Sequence, residues 1–358
     1  MADVHELTSA YESWLGEQIP LTRPELDRKH AEMAAHELRF LRGTYYLWLV
    51  RLADRVPAAY AGPRVPMVGD LHVENFGTWR DRDQVRRWGI NDFDELAVGA
   101  ALPDLIRLAT SAVLAPHLTL GDKEVCTVLL EEWSGAGPRA SVDLAEPGAG
   151  HLRALVPSFA DAGAFYEKLA AGPLATLPPS VVAAATDVAE RGWSPSWHRH
   201  VAGTGSLGHR RVVGVGRAAD GALHAREAKE LGPASSAWAR AAAHAEAVTW
   251  PEDDAGVYER VRVGIAGPAA ATRVDGWQVR DLAPDVVRIE LTGLDAHHSE
   301  RLLRAMARAT ADVHGVDRDG FAASVEAVEA FGRSAFRDAV ATMAEETRSD
   351  FAAYRKKS

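Results

Sequence analysis

From residue 199 to residue 290 the chain runs in glycine-rich turns and short β-branched stretches, broken by one alanine-rich helical segment at about 235–249. On both sides of that region apolar residues recur at helical spacing. This change of habit limits the fold more than any other feature. It describes a small, mostly β lobe with one helix, set between two helical stretches. A chain of 358 residues is long enough for two lobes. The expected class is therefore α+β. Residues 1–195 and 291–358 would pack together as a helical lobe, with 196–290 inserted as the β lobe.

Charge and composition remove several classes. The formal net charge is −10, so a nucleic-acid partner held by phosphate neutralisation is not expected, although a locally basic pocket for a nucleotide is allowed. A single cysteine, Cys126, gives no intrachain disulfide. The first residues lack a basic segment followed by a long apolar run. The most apolar stretch, around Leu96–Leu120, is interrupted by Asp104 and Arg107 and is too polar to span a membrane. The expectation is a cytoplasmic protein without a membrane partner; nothing in the sequence sets an oligomeric state. Only six of the forty basic side chains are lysine: Lys29, Lys123, Lys168, Lys229, Lys356 and Lys357. A chain that uses arginine almost everywhere gives weight to a lysine in mid-strand.

Local signals place the elements. Thr22-Arg23-Pro24-Glu25 reads as a capping box opening a helix with Met33, Leu38, Leu41, Tyr45, Leu49 and Leu52 on one face. That helix would bend at Gly43 and end before Pro57. Strands are expected at Val65–Val68, Phe76–Trp79 and Val85–Ile90, with a turn at Arg80–Gln84. Helices are expected at Pro103–Leu114, Asp122–Trp133, about 160–171, 179–191, Ala296–His314 and Val325–Tyr354.

Two constellations carry chemistry. The first is Gly69-Asp70-Leu71-His72-Val73-Glu74-Asn75 together with Asn91-Asp92-Phe93-Asp94-Glu95. A hairpin centred near 83.5 would bring Asn75 opposite Asp92 and both beside Asp70. An amide oxygen and a carboxylate suit a Mg²⁺ that takes its other ligands from water and phosphate. An Asp five residues before an Asn is the spacing of a kinase catalytic loop, so Asp70 is the expected catalytic base, with Asn75 and Asp92 as metal ligands. Asp94 and Glu95 could equally cap turns, and His72 could simply brace the loop.

The second constellation is Gly203-Thr204-Gly205-Ser206-Leu207-Gly208. A strand follows it, not the helix that a dinucleotide fingerprint requires. A third strand, Ala222–Lys229, then ends on a lysine. Gly203, Gly205, Ser206 and Gly208 would cradle phosphates, Lys229 would pair with them, and Glu246, on the next helix, would hold the lysine. In kinases this set precedes the catalytic loop, whereas here it follows. The layout amounts to a circular permutation, with Ala296–His314 in the place of the helix that leads into the catalytic loop.

These residues resemble the bacterial domain-of-unknown-function family 2252. The matching stretches are Phe40–Gly43, Val68–Gly77, Asn91–Glu95, Ala202–Gly208 and Lys229-Glu230. The first motif block is also similar to aminoglycoside and choline phosphotransferases, with Val68 in place of their motif histidine. The resemblance implies a protein-kinase-like two-lobed fold, ATP (or another nucleoside triphosphate) with Mg²⁺, and transfer of phosphoryl to a hydroxyl of a small molecule. From the Asp-Leu pair of those enzymes it also implies that Asp104 braces the catalytic loop. Adenine would lie near Trp277–Leu282. The acidic surface is consistent with a cationic acceptor. The alternatives are nucleotidyl transfer to a protein, a non-catalytic nucleotide-binding regulator, and a metallophosphoesterase, for which the further His and Asp motifs are missing.

Overall fold

The computed structural model describes residues 3–356 apart from 138, 157–160, 188–191, 201–208, 244, 247, 270 and 289–290. The architecture is mixed α+β. Four helices come first: α1 (Val4–Gln18), α2 (Arg23–Met33), α3 (Glu37–Gly43) and α4 (Tyr45–Arg55). The one bent helix expected from Thr22 to Pro57 is three. Thr44 leaves helical geometry (φ −128°, ψ 39°), and its hydroxyl donates back to the Phe40 carbonyl at 2.6 Å, so the chain turns there. Thr22 begins α2 without a side-chain cap bond.

Four short strands follow: β1 (Val65–Met67), β2 (Phe76–Arg80), β3 (Arg86–Ile90) and β4 (Ala97–Gly99). β1 pairs with β4 and β2 with β3, both antiparallel. The register of the second pair sets Phe76 against Ile90. The Asn91 amide then donates to the Asn75 carbonyl at 3.0 Å, so Asn75 faces Asn91, not Asp92. The one-residue offset comes from the turn. Asp81 closes a three-residue loop onto Val85, and Gln84 sits at φ 61°, the left-handed position such loops demand.

Next come α5 (Leu102–Leu114), α6 (Asp122–Gly135), β5 (Val142–Asp143), which adds to β3, and the short α7 (Gly150–Arg153). After them lie α8 (Ala162–Ala170), α9 (Pro179–Asp187) and the strands β6 (Ser194–Arg199), β7 (Arg211–Arg217) and β8 (Leu223–Glu230). Helices α10 (Ser235–Ala242) and α11 (Val257–Gly264) separate these from β9 (Thr272–Val274) and β10 (Trp277–Leu282). The five strands form one antiparallel sheet in the order β6-β7-β8-β10-β9. The chain closes with α12 (Ala296–His314), α13 (Arg318–Phe331) and α14 (Arg333–Arg355). Gly332, at φ 89°, divides the last two, where one helix over 325–354 was expected.

The main core lies among α4, α5, α6, α12 and α14, where Leu49, Leu52, Leu105, Leu129, Leu302, Met306 and Met343 are fully buried. Each such side chain contributes about 1.5–3 kcal/mol. Among the described residues the sheet has two small apolar clusters of its own, and the large cluster lies mostly in the helices. Packing crosses the boundaries drawn from sequence. Leu169 of α8 packs on Val213 and Val215, and Val181 of α9 on Ala228 and Val279, so both helices cover the sheet. Trp238 of α10 instead meets the rings of Tyr11 and Tyr46 at 5.4 and 5.7 Å, inside the helical core. After β10 the chain runs along the hairpin: the Thr78 amide donates to the Val287 carbonyl at 2.9 Å. A Cβ at Gly77 would lie 2.5 Å from that same carbonyl, which requires glycine there. Among the described residues no helix is long and apolar enough to cross a membrane.

Candidate functional site

β1 leads straight into the Gly69-Asp70 turn. Gly69 has φ +91°, and a Cβ there would lie 2.4 Å from the Glu95 carbonyl oxygen, so only glycine fits. Asp104, in the first turn of α5, accepts from the Val68 amide at 2.6 Å and the Gly69 amide at 2.9 Å. Its Oδ2 also bonds His314 Nε2 at 3.0 Å. Trp133 Nε1–H donates to His314 Nδ1 at 3.2 Å, which leaves the imidazole hydrogen on Nε2 to serve Asp104. Asp104 thus braces the turn through buried hydrogen bonds.

Asp70 is held from below. Its Oδ1 accepts from Arg107 Nε at 2.9 Å, with Arg107 Nη2 on the same oxygen. Arg107 is fully buried, stacks on Tyr45 and Trp48, and donates to the Leu41 carbonyl at 2.9 Å. Burial pushes the Asp70 carboxyl up to about 6, and the Arg107 charge opposes that rise. The loop beyond closes on itself: Asn75 Oδ1 accepts from the His72 amide at 2.7 Å, and the Asn75 amide donates to the His72 carbonyl at 2.9 Å. His72 Nδ1 accepts from the Glu74 amide. Burial, then Arg42, Arg107 and Arg288, hold His72 well below its ordinary value, so it is a neutral brace of the loop. Glu74 pairs with Arg42.

Asp92, just past β3, lies 4.0 Å from Arg288. Burial opposes its ionisation, but Lys229, Arg288 and Arg280 outweigh burial and hold its carboxyl below the usual range. Asp94 forms an ion pair with Lys229. Glu95 accepts from the Ser235 amide at 2.7 Å and its hydroxyl at 2.6 Å, which ties this loop to the start of α10. Burial pushes Glu95 up to about 7.

Lys229 is buried on β8, opposite Arg211 on β7 and Gln278 on β10. Burial lowers its ammonium to about 8 while Asp92 supports the charge. Beside it Glu227 binds Arg211 at 2.6 Å and Arg280 at 2.9 Å. Burial resists the Glu227 charge, yet the two guanidiniums bring it down to about 2.

Asp70, Asn75, Asp92 and Lys229 all line one cavity of about 750 Å³. Glu246 does not join them. α10 ends at Ala242, once its buried face of Ser235, Ser236, Trp238 and Ala239 is used, and Glu246 is exposed beyond it. Asp94 of the hairpin loop takes the partner role expected of Glu246. Gly203, Gly205, Ser206 and Gly208 fall outside the described residues; the strands they join, β6 and β7, pair antiparallel. Among the described residues no group of three or more His, Cys, Asp or Glu is placed to hold a metal ion. The donors expected from sequence are the amide oxygen of Asn75 and the carboxylate of Asp92, both on the cavity wall.

Sequence reasoning missed Arg107 and Lys29 as site residues. The signal for Arg107 was present: Asp104 and Arg107 are charges one helical turn apart inside the most apolar stretch of the chain. Lys29 carried no signal except the rarity of lysine.

The site is a partly open cavity lined with charge of both signs, set in a mixed α+β fold. Residues 23–132 match the family model described as an uncharacterized protein conserved in bacteria (DUF2252), over less than half of the chain. The matched stretch holds Lys29, Asp70, Asn75, Asp92, Asp104 and Arg107, and stops before the sheet that bears Lys229. Neither the curated proteins nor the solved structures give a match to this chain.

Proposed function

We propose that the protein is a phosphotransferase that uses a nucleoside triphosphate and Mg²⁺ to phosphorylate a hydroxyl of a small molecule, on a kinase-like two-lobed fold in permuted order. One observation carries the reading. Asp70 and Lys229, far apart in the chain, line the same cavity with Asn75 and Asp92. The sheet order adds support: lysine lies on the third strand, in mid-sheet, one helix follows directly, and the glycine-rich segment connects the first two strands.

Asp70 Oδ1 is engaged by Arg107, which leaves Oδ2 to accept the acceptor's hydroxyl proton as its oxygen bonds to phosphorus. The bond from that phosphorus to the nucleoside diphosphate breaks, and the diphosphate leaves with the electron pair. A carboxyl near 6 is ionised at neutral pH and still basic enough to serve. Lys229, Arg280 and Arg288 counter the phosphate charge, so the protein chiefly positions and neutralises. Asn75 and Asp92 fit Mg²⁺, a hard cation that keeps several waters and takes phosphate oxygens. Bound there, the ion supplies charge neutralisation at the phosphates.

The test is thermal unfolding with Mg²⁺ and a non-hydrolysable ATP analogue. At a hundredfold excess over Kd, binding stabilises by about 2.7 kcal/mol. Wild type is expected to show that upward shift and Asp92→Ala to lose it. A wild-type protein with no Mg²⁺-dependent shift sinks the reading.

A further inference from the structure

The cavity has a second cationic end that the phosphates do not need. Lys29, on α2, is 4% exposed and lines the cavity wall together with Tyr11, Leu15 and His209. Its Nζ lies 5.9 and 5.8 Å from the ring centroids of Tyr11 and Tyr46. The hydroxyls of both rings are committed elsewhere, to Ser235 and Thr8, so Lys29 meets ring faces. Among the described residues, no carboxylate lies within 4.0 Å of Lys29 and it donates no hydrogen bond.

The acids nearest in effect are already engaged. Glu12 binds His30 at 2.7 Å, Asp70 binds Arg107, and Glu95 binds Ser235. The surroundings of Lys229 are different: Asp92, Arg280, Arg288 and Arg273. The two lysines therefore serve different parts of the cavity. An ammonium removed from water without a counter-ion is costly, and two aromatic faces recover only a fraction of that cost. A buried cation on a cavity wall that touches no carboxylate directly, and is supported only at a distance by Glu12, Asp70 and Glu95, marks a place where a ligand can bring a contacting charge.

We propose that Lys29 is the counter-ion for an anionic group, phosphate or carboxylate, on the acceptor molecule whose hydroxyl faces Asp70. The acceptor class is then a hydroxylated anion, the opposite of the cationic acceptor that the overall charge suggests. The word "acceptor" rests on the phosphotransferase reading; the anion site does not.

The experiment uses the full chain, wild type and Lys29→Met. Calorimetric titration with glycerol 3-phosphate, glycerate, glycerol and choline is run beside titration with the Mg²⁺-bound ATP analogue. One of the two anions should bind wild type at least tenfold more tightly than glycerol or choline, and which of them does so separates phosphate from carboxylate. Lys29→Met should lose at least tenfold for that anion and change nucleotide affinity by less than twofold. Its ligand-free thermal midpoint should equal or exceed that of wild type, because methionine removes a buried ammonium that has no contacting counter-ion. The proposal is overturned if no anion is preferred, if Lys29→Met keeps the preference, or if the variant melts several degrees below wild type. Anion binding without any nucleotide binding would leave the Lys29 site standing and remove the phosphotransferase reading.

Discussion

Replacing Asp104 with alanine strands three buried donors at once: the amides of Val68 and Gly69 and the Nε2–H of His314. Each unsatisfied buried donor costs about 1–3 kcal/mol, and neighbouring losses are not fully additive, so the expected loss is about 3–6 kcal/mol. A domain has about 5–15 kcal/mol in all, so this one change uses much of the margin. Asp104→Asn keeps one acceptor oxygen but turns an NH₂ toward a donor, and should lose about 2–4 kcal/mol. The assay is urea unfolding at pH 7, followed by tryptophan fluorescence; Trp79, Trp88 and Trp133 are buried and will report it. Midpoints should fall with the slope unchanged. The argument is refuted if Asp104→Ala stays within about 1 kcal/mol of wild type, since the turn would then hold its shape without the brace.

Asp70→Asn should slow phosphoryl transfer by about 10²–10⁴-fold while nucleotide affinity is retained. Because the Asp70 carboxyl sits near 6, kcat/KM of wild type should climb as pH rises through 6, and a flat profile from pH 5 to 8 argues against it as the base. Asp312 gives a test independent of function. It is buried on α12, accepts from the Arg139 amide at 3.0 Å, and burial pushes it to about 7. A raised carboxyl means the fold disfavours the ionised form: stability is undiminished below the ordinary value near 4 and declines as pH rises to 7. Asp312→Asn keeps the Arg139 bond and removes that loss, so its advantage over wild type should be at most about 1.5 kcal/mol at pH 5 and grow to about 4 kcal/mol at most by pH 8. Equal urea midpoints for the two proteins at both pH values contradict this.

Much of this was legible in the residues. β10 and α12 fall where periodicity puts them, because each is bounded by a clear turn or cap: Asp275-Gly276 before the strand, Asp295 before the helix. The hairpin register was missed by one residue because Asp81 and Gln84 build a three-residue loop without a glycine to announce it. That Asp70, Asn75, Asp92 and Lys229 would meet in one cavity was legible from short spacings and strand position. Glu246 was misplaced because helix propensity in an alanine-rich run says nothing about where the buried face ends. Lys29 and the Asp94–Lys229 pair were invisible for a related reason. Both depend on which distant elements meet, and no local pattern encodes that.

The chain from Trp133 through His314 and Asp104 to the Gly69 amide has a consequence for timing. On the ribosome, residue 314 is added on the order of ten seconds or more after residue 70, at common synthesis rates. Until α12 is made and docked, Asp104 lacks its imidazole partner, and the turn presenting Asp70 is only partly secured. A nascent chain therefore completes this brace only after residue 314 has emerged and α12 has docked, about 240 residues behind the turn it secures.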